Sequence, residues 1–194
     1  MDIHDPRHIV AVCGSQRDGS RTRHALEEAL LAAESKGATT ELVDLSTLDL
    51  PVFDPDQSDA GDARELRQVV RSADAVLLGS PVYHGSYSSV LKTALDYCGF
   101  DEFEETTVGL LVVAGGGFPT PALEHLRSVA RTLNAWVLPH QVAIPNAHST
   151  FEAGELTDEA LVDRVEALGV DLVDYAGVES YPENTTACTA PTAD

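Results

Sequence analysis

The feature that most constrains this chain is a strict alternation: five short apolar runs, each separated from the next by a stretch with helical periodicity. The runs are His8 to Gly14, Thr40 to Leu45, Ala75 to Ser80, Thr106 to Ala114 and Trp136 to Ile144. Their length, their richness in valine, leucine and isoleucine, and the turn residues that bound most of them predict buried strands. The stretches Ser20 to Gly37, Asp62 to Ala73, Ser86 to Cys98, Pro119 to Asn134 and Thr157 to Ala176 space their apolar residues as helices do. In the last of these, Thr157 is placed as the N-cap, with acidic residues in the first turn. Each strand-helix-strand crossover must return right-handed over the sheet, so the alternation predicts an open parallel sheet with helices on both faces, a doubly wound α/β fold.

At 194 residues the chain fits one domain, expected over residues 1–176. The Thr/Ala/Pro-flavoured remainder, 177–194, is expected to be a flexible C-terminal tail. The longest apolar stretch, around Val108 to Phe118, is interrupted by glycines and falls short of the roughly 18 residues a membrane helix needs. The first residues, Met1-Asp2-Ile3-His4-Asp5, are acidic where a secretory signal would be positive, so a soluble, cytoplasmic protein is expected. Cys13, Cys98 and Cys188 form no C-x-x-C pair, and an odd number argues against a disulfide framework; buried small hydrophobes in a reducing compartment are the expectation.

Charge excludes whole classes of partner. With 32 acidic against 12 basic residues, net charge −20, and lysine only at Lys36 and Lys92, the field repels nucleic acid and anionic lipid. Self-repulsion of that size is relieved at molar salt, where the Debye length falls to about 3 Å, so the composition suggests a salt-loving (halophilic) source. The seven histidines show no ligand spacing, and no metal site is expected.

Ligands of such sheets bind beyond the carboxyl ends of the strands, near the point where strand order reverses. The first such loop, Gly14-Ser15-Gln16-Arg17-Asp18-Gly19-Ser20-Arg21-Thr22, runs straight into a helix whose free N–H groups and positive dipole end suit an anion. Ser15, Ser20 and Thr22 offer hydroxyl donors, and Arg17 a charge-assisted bond worth roughly 1.5 to 3 kcal/mol. Arg17, Arg21 and Arg23 put a quarter of all basic residues into seven positions, a local positive spot in an acidic chain. A nucleotide-triphosphate loop is excluded, because Ser20 and Arg21 stand where it needs Lys and Ser/Thr. The dinucleotide fingerprint fails as well, with Gln16 at its second glycine. A lone phosphate monoester fits better.

Two further loops follow the third and fourth strands: Ser80-Pro81-Val82-Tyr83-His84-Gly85-Ser86-Tyr87 and Ala114-Gly115-Gly116-Gly117. With the strands in the order 2-1-3-4-5, all three loops line one edge of the sheet and can enclose a flat ring whose phosphate rests on the first. Glycine lets backbone amides approach the ring edge, and Tyr83 and His84 give an aromatic flank with polar handles. Singly, each of these features is also what an ordinary turn or helix cap would show.

The combination G-S-x-R-x-x-S at Gly14 to Ser20 with P-x-Y-x-G-S-x-x-x-x-L-K-x-x-x-D at Pro81 to Asp96 resembles the NADPH-dependent FMN reductase family, which includes chromate, quinone and azo-dye reductases. The likeness runs over roughly residues 8 to 175. It implies a flavodoxin-like fold, with FMN bound and reduced by NADPH or NADH. It places the FMN phosphate on Ser15, Arg17, Ser20, Arg21 and Thr22, the isoalloxazine beside Pro81, Val82, Tyr83, His84 and Gly85, and its pyrimidine end at Gly115, Gly116 and Gly117. The segment Asp49 to Asp54 resembles the family's loop near the active site or a subunit contact. Ser88-Ser89, Tyr97 and Thr22 replace a frequent Pro-Gly, Trp and Asn, which bears on substrate preference and on the packing of the helix that the family uses in dimerisation. The expected function is an NAD(P)H-dependent flavin oxidoreductase passing electrons to quinone, flavin, metal-ion or similar small acceptors, as a homodimer or homotetramer. Because the cofactor carries that chemistry, no catalytic acid-base side chain is assigned. The alternative is a flavodoxin-type electron carrier without turnover of its own, whose acidity would suit docking to basic partners. A hydrolase built on Ser15 or Ser86 lacks the G-x-S-x-G elbow.

Overall fold

The computed structural model describes residues 6–177. Five strands, β1 (His8–Cys13), β2 (Thr39–Asp44), β3 (Ala75–Pro81), β4 (Thr107–Val113) and β5 (Trp136–Ile144), form one parallel sheet in the order β2-β1-β3-β4-β5. The helices are α1 (Arg21–Ser35), α2 (Ala63–Arg71), α3 (Ser89–Tyr97), α4 (Phe100–Phe103), α5 (Thr120–Thr132), α6 (Ala147–Thr150) and α7 (Glu159–Tyr175). A small antiparallel hairpin, β6 (Phe151–Glu152) and β7 (Glu155–Leu156), precedes α7. The order is the flavodoxin-like one, with the reversal between β1 and β3.

Burial explains why each run became the strand it did. The three inner strands are apolar on both faces because helices cover both, and every residue of β4 is buried. Alternate residues of these strands feed two separate cores. Ile9, Ala11, Leu77 and Leu111 pack under α1 and α7, while Val10, Val12, Leu78, Leu110 and Val112 pack under α2, α3 and α5. The outer strands β2 and β5 are partly exposed. Pairing of β4 with β5 jumps from Val108↔Val137 to Leu110↔Gln141, a bulge that takes up Pro139, whose missing N–H is tolerated on an edge strand.

Several boundaries move for identifiable reasons. The third helix, expected from Ser86, starts at Ser89 because Ser88 is its N-cap, accepting from the Leu91 N–H at 3.1 Å. Ser86 instead closes a tight turn with Tyr83, each backbone N–H donating to the other's carbonyl, with His84 and Gly85 at positive φ between them. The last helix is capped by Asp158, whose Oδ1 accepts from the Leu161 N–H at 3.1 Å, and not by Thr157. Thr157 is tied to the Thr150 carbonyl through both its N–H and its hydroxyl, which leaves its side chain unfit to cap. The segment Asp49 to Asp54 packs on α3, where the Tyr97 hydroxyl donates to the Pro51 carbonyl and the Phe53 and Tyr97 rings meet edge to face.

Among the described residues, no helix is long and apolar enough to cross a membrane. Burial pushes the Cys98 thiol up to about 12, with the Glu102 carboxylate adding to the effect, and burial also raises Cys13. Both therefore stand as neutral, packed side chains; Cys188 and the expected tail over 177–194, apart from Gly177, lie outside the described residues.

Candidate functional site

The carboxyl ends of β1, β3 and β4 open into a cleft of about 530 Å³, within the size range of small-molecule sites. The geometry starts at Gly14. Its N–H extends the ladder to the Gly79 carbonyl at 2.8 Å, and its own carbonyl accepts from the Ser88 hydroxyl at 2.6 Å. A Cβ there would lie 2.7 Å from Leu91 Cβ, so only glycine lets the first loop run this close to α3.

From that anchor the loop turns its small polar groups inward. Ser15, Ser20 and Thr22 are almost fully buried, yet all three line the cleft. Ser20 is the N-cap of α1, its oxygen accepting from the Arg23 N–H at 3.2 Å, and its hydroxyl also lies within hydrogen-bond reach of the Cys13 thiol beneath it. No acidic residue occupies the first turn of α1, so its positive dipole end is not neutralised by its own side chains. Gly19, at φ 62°, has open space where a side chain would stand. Gln16 turns away, donating to the Leu45 carbonyl.

The three arginines separate. Arg17 is exposed at the cleft mouth and Arg21 lines its side. Arg23 leaves the group: its guanidinium pairs with Asp44 at 2.5 Å on the β2 side, and it does not line the cleft. Two residues along a helix point roughly opposite ways, so Arg21 and Arg23 cannot serve one site.

Of the other expected positions, Pro81, Val82 and Tyr83 line the cleft from β3, and Gly115 lines it from β4 together with Val113. The Val82 N–H donates to the Val113 carbonyl, fixing the two loops side by side. His84 and Gly85 sit at the tip of the Tyr83–Ser86 turn, outside the lining. Gly116 and Gly117 also stand outside it; the Gly116 carbonyl accepts from the Asn146 N–H, and Gly117 faces the Asn146 side chain. Ser86 meets His125 Nδ1 at 3.1 Å, on the surface and away from the cleft.

One wall of the cleft leaves almost no trace in the sequence. Ala147 and His148 of α6, with Ala153 and Gly154 at the tip of the β6–β7 hairpin, close the side of the cleft facing α1. The one local signal was the Ala-Gly step flanked by glutamates, a two-residue hairpin connection between strands too short to show alternation.

The residues fit a flavin mononucleotide on this structure's own terms. Buried hydroxyls and a dipole end form the seat for an anion, and beside them a slot bounded by Pro81–Tyr83 and Gly115 leaves room for a planar ring. A Cβ on Gly115 would touch only His148, at 3.6 Å.

A flavodoxin-like sheet with an anion seat at its switch point defines a class of α/β proteins that bind phosphorylated cofactors at one sheet edge. Comparison with known proteins narrows the class. The family model described as NADPH-dependent FMN reductase matches residues 7–149. The FMN-dependent NADPH-azoreductase of Staphylococcus saprophyticus is 37% identical over 141 residues, covering 68% of this chain and 73% of that protein. The NADPH azoreductase of a Bacillus species is 34% identical over 155 residues, covering 78% and 83%. Among solved structures, the flavoenzyme NAD(P)H:(acceptor) oxidoreductase FerB from Paracoccus denitrificans superposes with a TM-score of 0.72 at 21% identity, over 87% of this chain and 96% of that one. The NAD(P)H:quinone oxidoreductase from Methanothermobacter marburgensis gives a TM-score of 0.67 at 16% identity, over 86% and 99%. At such identities the superpositions speak to the fold, which they share with this chain. The chain belongs to the NADPH-dependent FMN reductase family, and is thus an oxidoreductase of the FMN- and NAD(P)H-using kind.

Proposed function

We propose that this enzyme binds FMN in the cleft between α1 and the loops after β3 and β4, and passes electrons from NAD(P)H to small acceptors such as quinones, azo compounds, free flavin or metal ions. The observation that carries this reading is the convergence of three buried hydroxyls and the α1 dipole end on one side of a cleft whose other side is open enough for a ring.

FMN, when bound, supplies the chemistry of hydride acceptance and electron donation. The chain's own part is to hold and shield. Ser15, Ser20 and Thr22 donate hydroxyl hydrogens to the phosphate, and Arg17 and Arg21 balance its charge. Backbone at Gly115 lies close enough to the slot to meet the ring's polar edge, and Tyr83, half exposed, covers its rim while leaving a face for nicotinamide. His84, Gly85, Gly116 and Gly117, outside the present lining, belong to turns that border the same opening.

The deciding measurement is the flavin absorbance of the FMN-loaded protein before and after NADPH is added without oxygen. Bleaching without any partner protein is expected; a flavin that stays oxidised would point to an electron carrier instead. Arg17→Ala should weaken FMN binding about tenfold by removing a charge-assisted bond, read by fluorescence titration. A variant holding FMN as tightly as the parent would contradict the assignment.

The reading extends to a cytoplasmic homodimer or homotetramer from a salt-rich setting. The net charge of −20 supports the last part, since among the described residues seven basic side chains already pair with carboxylates and the acidic excess is left to repel itself. The melting temperature should climb steadily from dilute buffer to molar KCl. A flat or falling series would count against a salt-adapted surface.

A further inference from the structure

Arg21 reaches across the cleft wall to a part of the chain far away in sequence. Its Nη1 lies 3.3 Å from His148 Nδ1, and its guanidinium carbon stands 6.0 Å above the centre of the Phe151 ring. Guanidinium is a donor only, so Nδ1 must accept, and the neutral imidazole carries its proton on Nε2. That Nε2 points toward Gly115, where a Cβ would lie 3.6 Å away, so the ring spans the gap between the arginine and the end of β4. Arg21 and His148 both line the cleft.

We propose that His148 is a positioning residue for the anionic end of the ligand: by accepting from Arg21, it holds the guanidinium over the anion seat before the ligand arrives. The proposal rests on reading the cleft as an FMN site and goes further in naming what orients its phosphate contact. A long arginine side chain loses rotamer freedom when it grips an anion, and a brace that orders it beforehand removes that cost from binding. Arg17, at the exposed mouth, has no such brace among the described residues, so the two arginines play different parts: Arg17 adds charge, Arg21 adds direction. The brace works through Arg21 and so bears mainly on the phosphate, although the far side of the imidazole faces Gly115. It therefore sets how strongly the cleft prefers FMN to riboflavin, which has the same ring and no phosphate.

The test is equilibrium binding of FMN and of riboflavin to the full chain freed of flavin, followed by fluorescence. His148→Leu keeps bulk and removes the acceptor; His148→Asn puts Oδ1 where Nδ1 stood. The parent should hold FMN far more tightly than riboflavin. His148→Leu should weaken FMN by about fivefold to tenfold while riboflavin changes by less than about twofold, and His148→Asn should recover most of the loss. In a double-mutant cycle, Arg21→Ala combined with His148→Leu should bind FMN no more weakly than Arg21→Ala alone. Unchanged FMN affinity in His148→Leu, equal losses for FMN and riboflavin, or additive losses in the cycle would each overturn the role of His148. A parent that binds riboflavin as tightly as FMN would sink the phosphate seat itself, a separate failure. His148 is exposed, so the variants should fold; His148→Ala supplies the same comparison should the leucine not be tolerated.

Discussion

Replacing Ser20 with aspartate should leave α1 as stable as in the parent and still abolish useful FMN binding. Aspartate and serine are equally good N-caps, and a carboxylate at that end gains about 0.3 to 1 kcal/mol from the helix dipole. The bond from the Arg23 N–H to the cap would persist. The same carboxylate, however, would stand in the seat proposed for phosphate. At about 5 Å, with an effective dielectric constant of about 20, two like charges repel by about 3 kcal/mol, on the order of 100-fold in affinity. Riboflavin, lacking the phosphate, should be nearly unaffected. Fluorescence titration with both flavins, beside a melting curve at fixed salt, separates the two effects. If Ser20→Asp bound FMN within a few-fold of the parent, the anion would have to sit elsewhere.

The largest effect on stability should come from a single methyl group at Gly169. This glycine lies in α7 where it crosses α1, and an added Cβ would be 2.0 Å from the Ala29 carbonyl oxygen and 2.9 Å from its carbon. Both are backbone atoms of another helix, so no rotamer change relieves the clash; the helices must move apart, and the core that includes Ala25, Ala29, Leu168 and Leu172 opens with them. Alanine is the better helix former by about 1 kcal/mol, which works in the opposite direction. Overpacking against backbone should outweigh it, for a net loss of about 2 to 4 kcal/mol and a fall in melting temperature of roughly 5 to 15 °C. Gly169→Ala as stable as the parent would mean that α1 and α7 cross less tightly than described. Both helices bear on function, since α1 carries Ser20, Arg21 and Thr22 into the cleft.

Much of the molecule was legible in the residues. The strand Trp136–Ile144 was placed at its observed ends, because a helix signal stops before it and a proline follows it. Ser20 was read as part of a helix start, and Ser15, Arg17, Ser20, Arg21 and Thr22 do come together at one opening. What escaped was decided by contacts too distant, or elements too short, to leave a local pattern. Charge density places Arg23 with Arg17 and Arg21 because it says nothing about which helix face a side chain occupies; Asp44 on β2 claims it. Thr157 and Asp158 are both competent caps, and only the pull of the Thr150 carbonyl on Thr157 gave the position to Asp158.

Alternation of apolar strands with amphipathic helices and a hydroxyl-rich turn opening the first helix were therefore settled by the order of residues alone, since each depends on neighbours a few positions apart; the acidic excess was settled by composition. Tertiary structure alone decided that residues 147–156 form a wall of the cleft, that His148 meets Arg21, and that Gly169 must have no side chain. Those outcomes follow from where separate elements come to rest against each other, and that placement is set by close packing of the whole interior rather than by the preferences of any one segment.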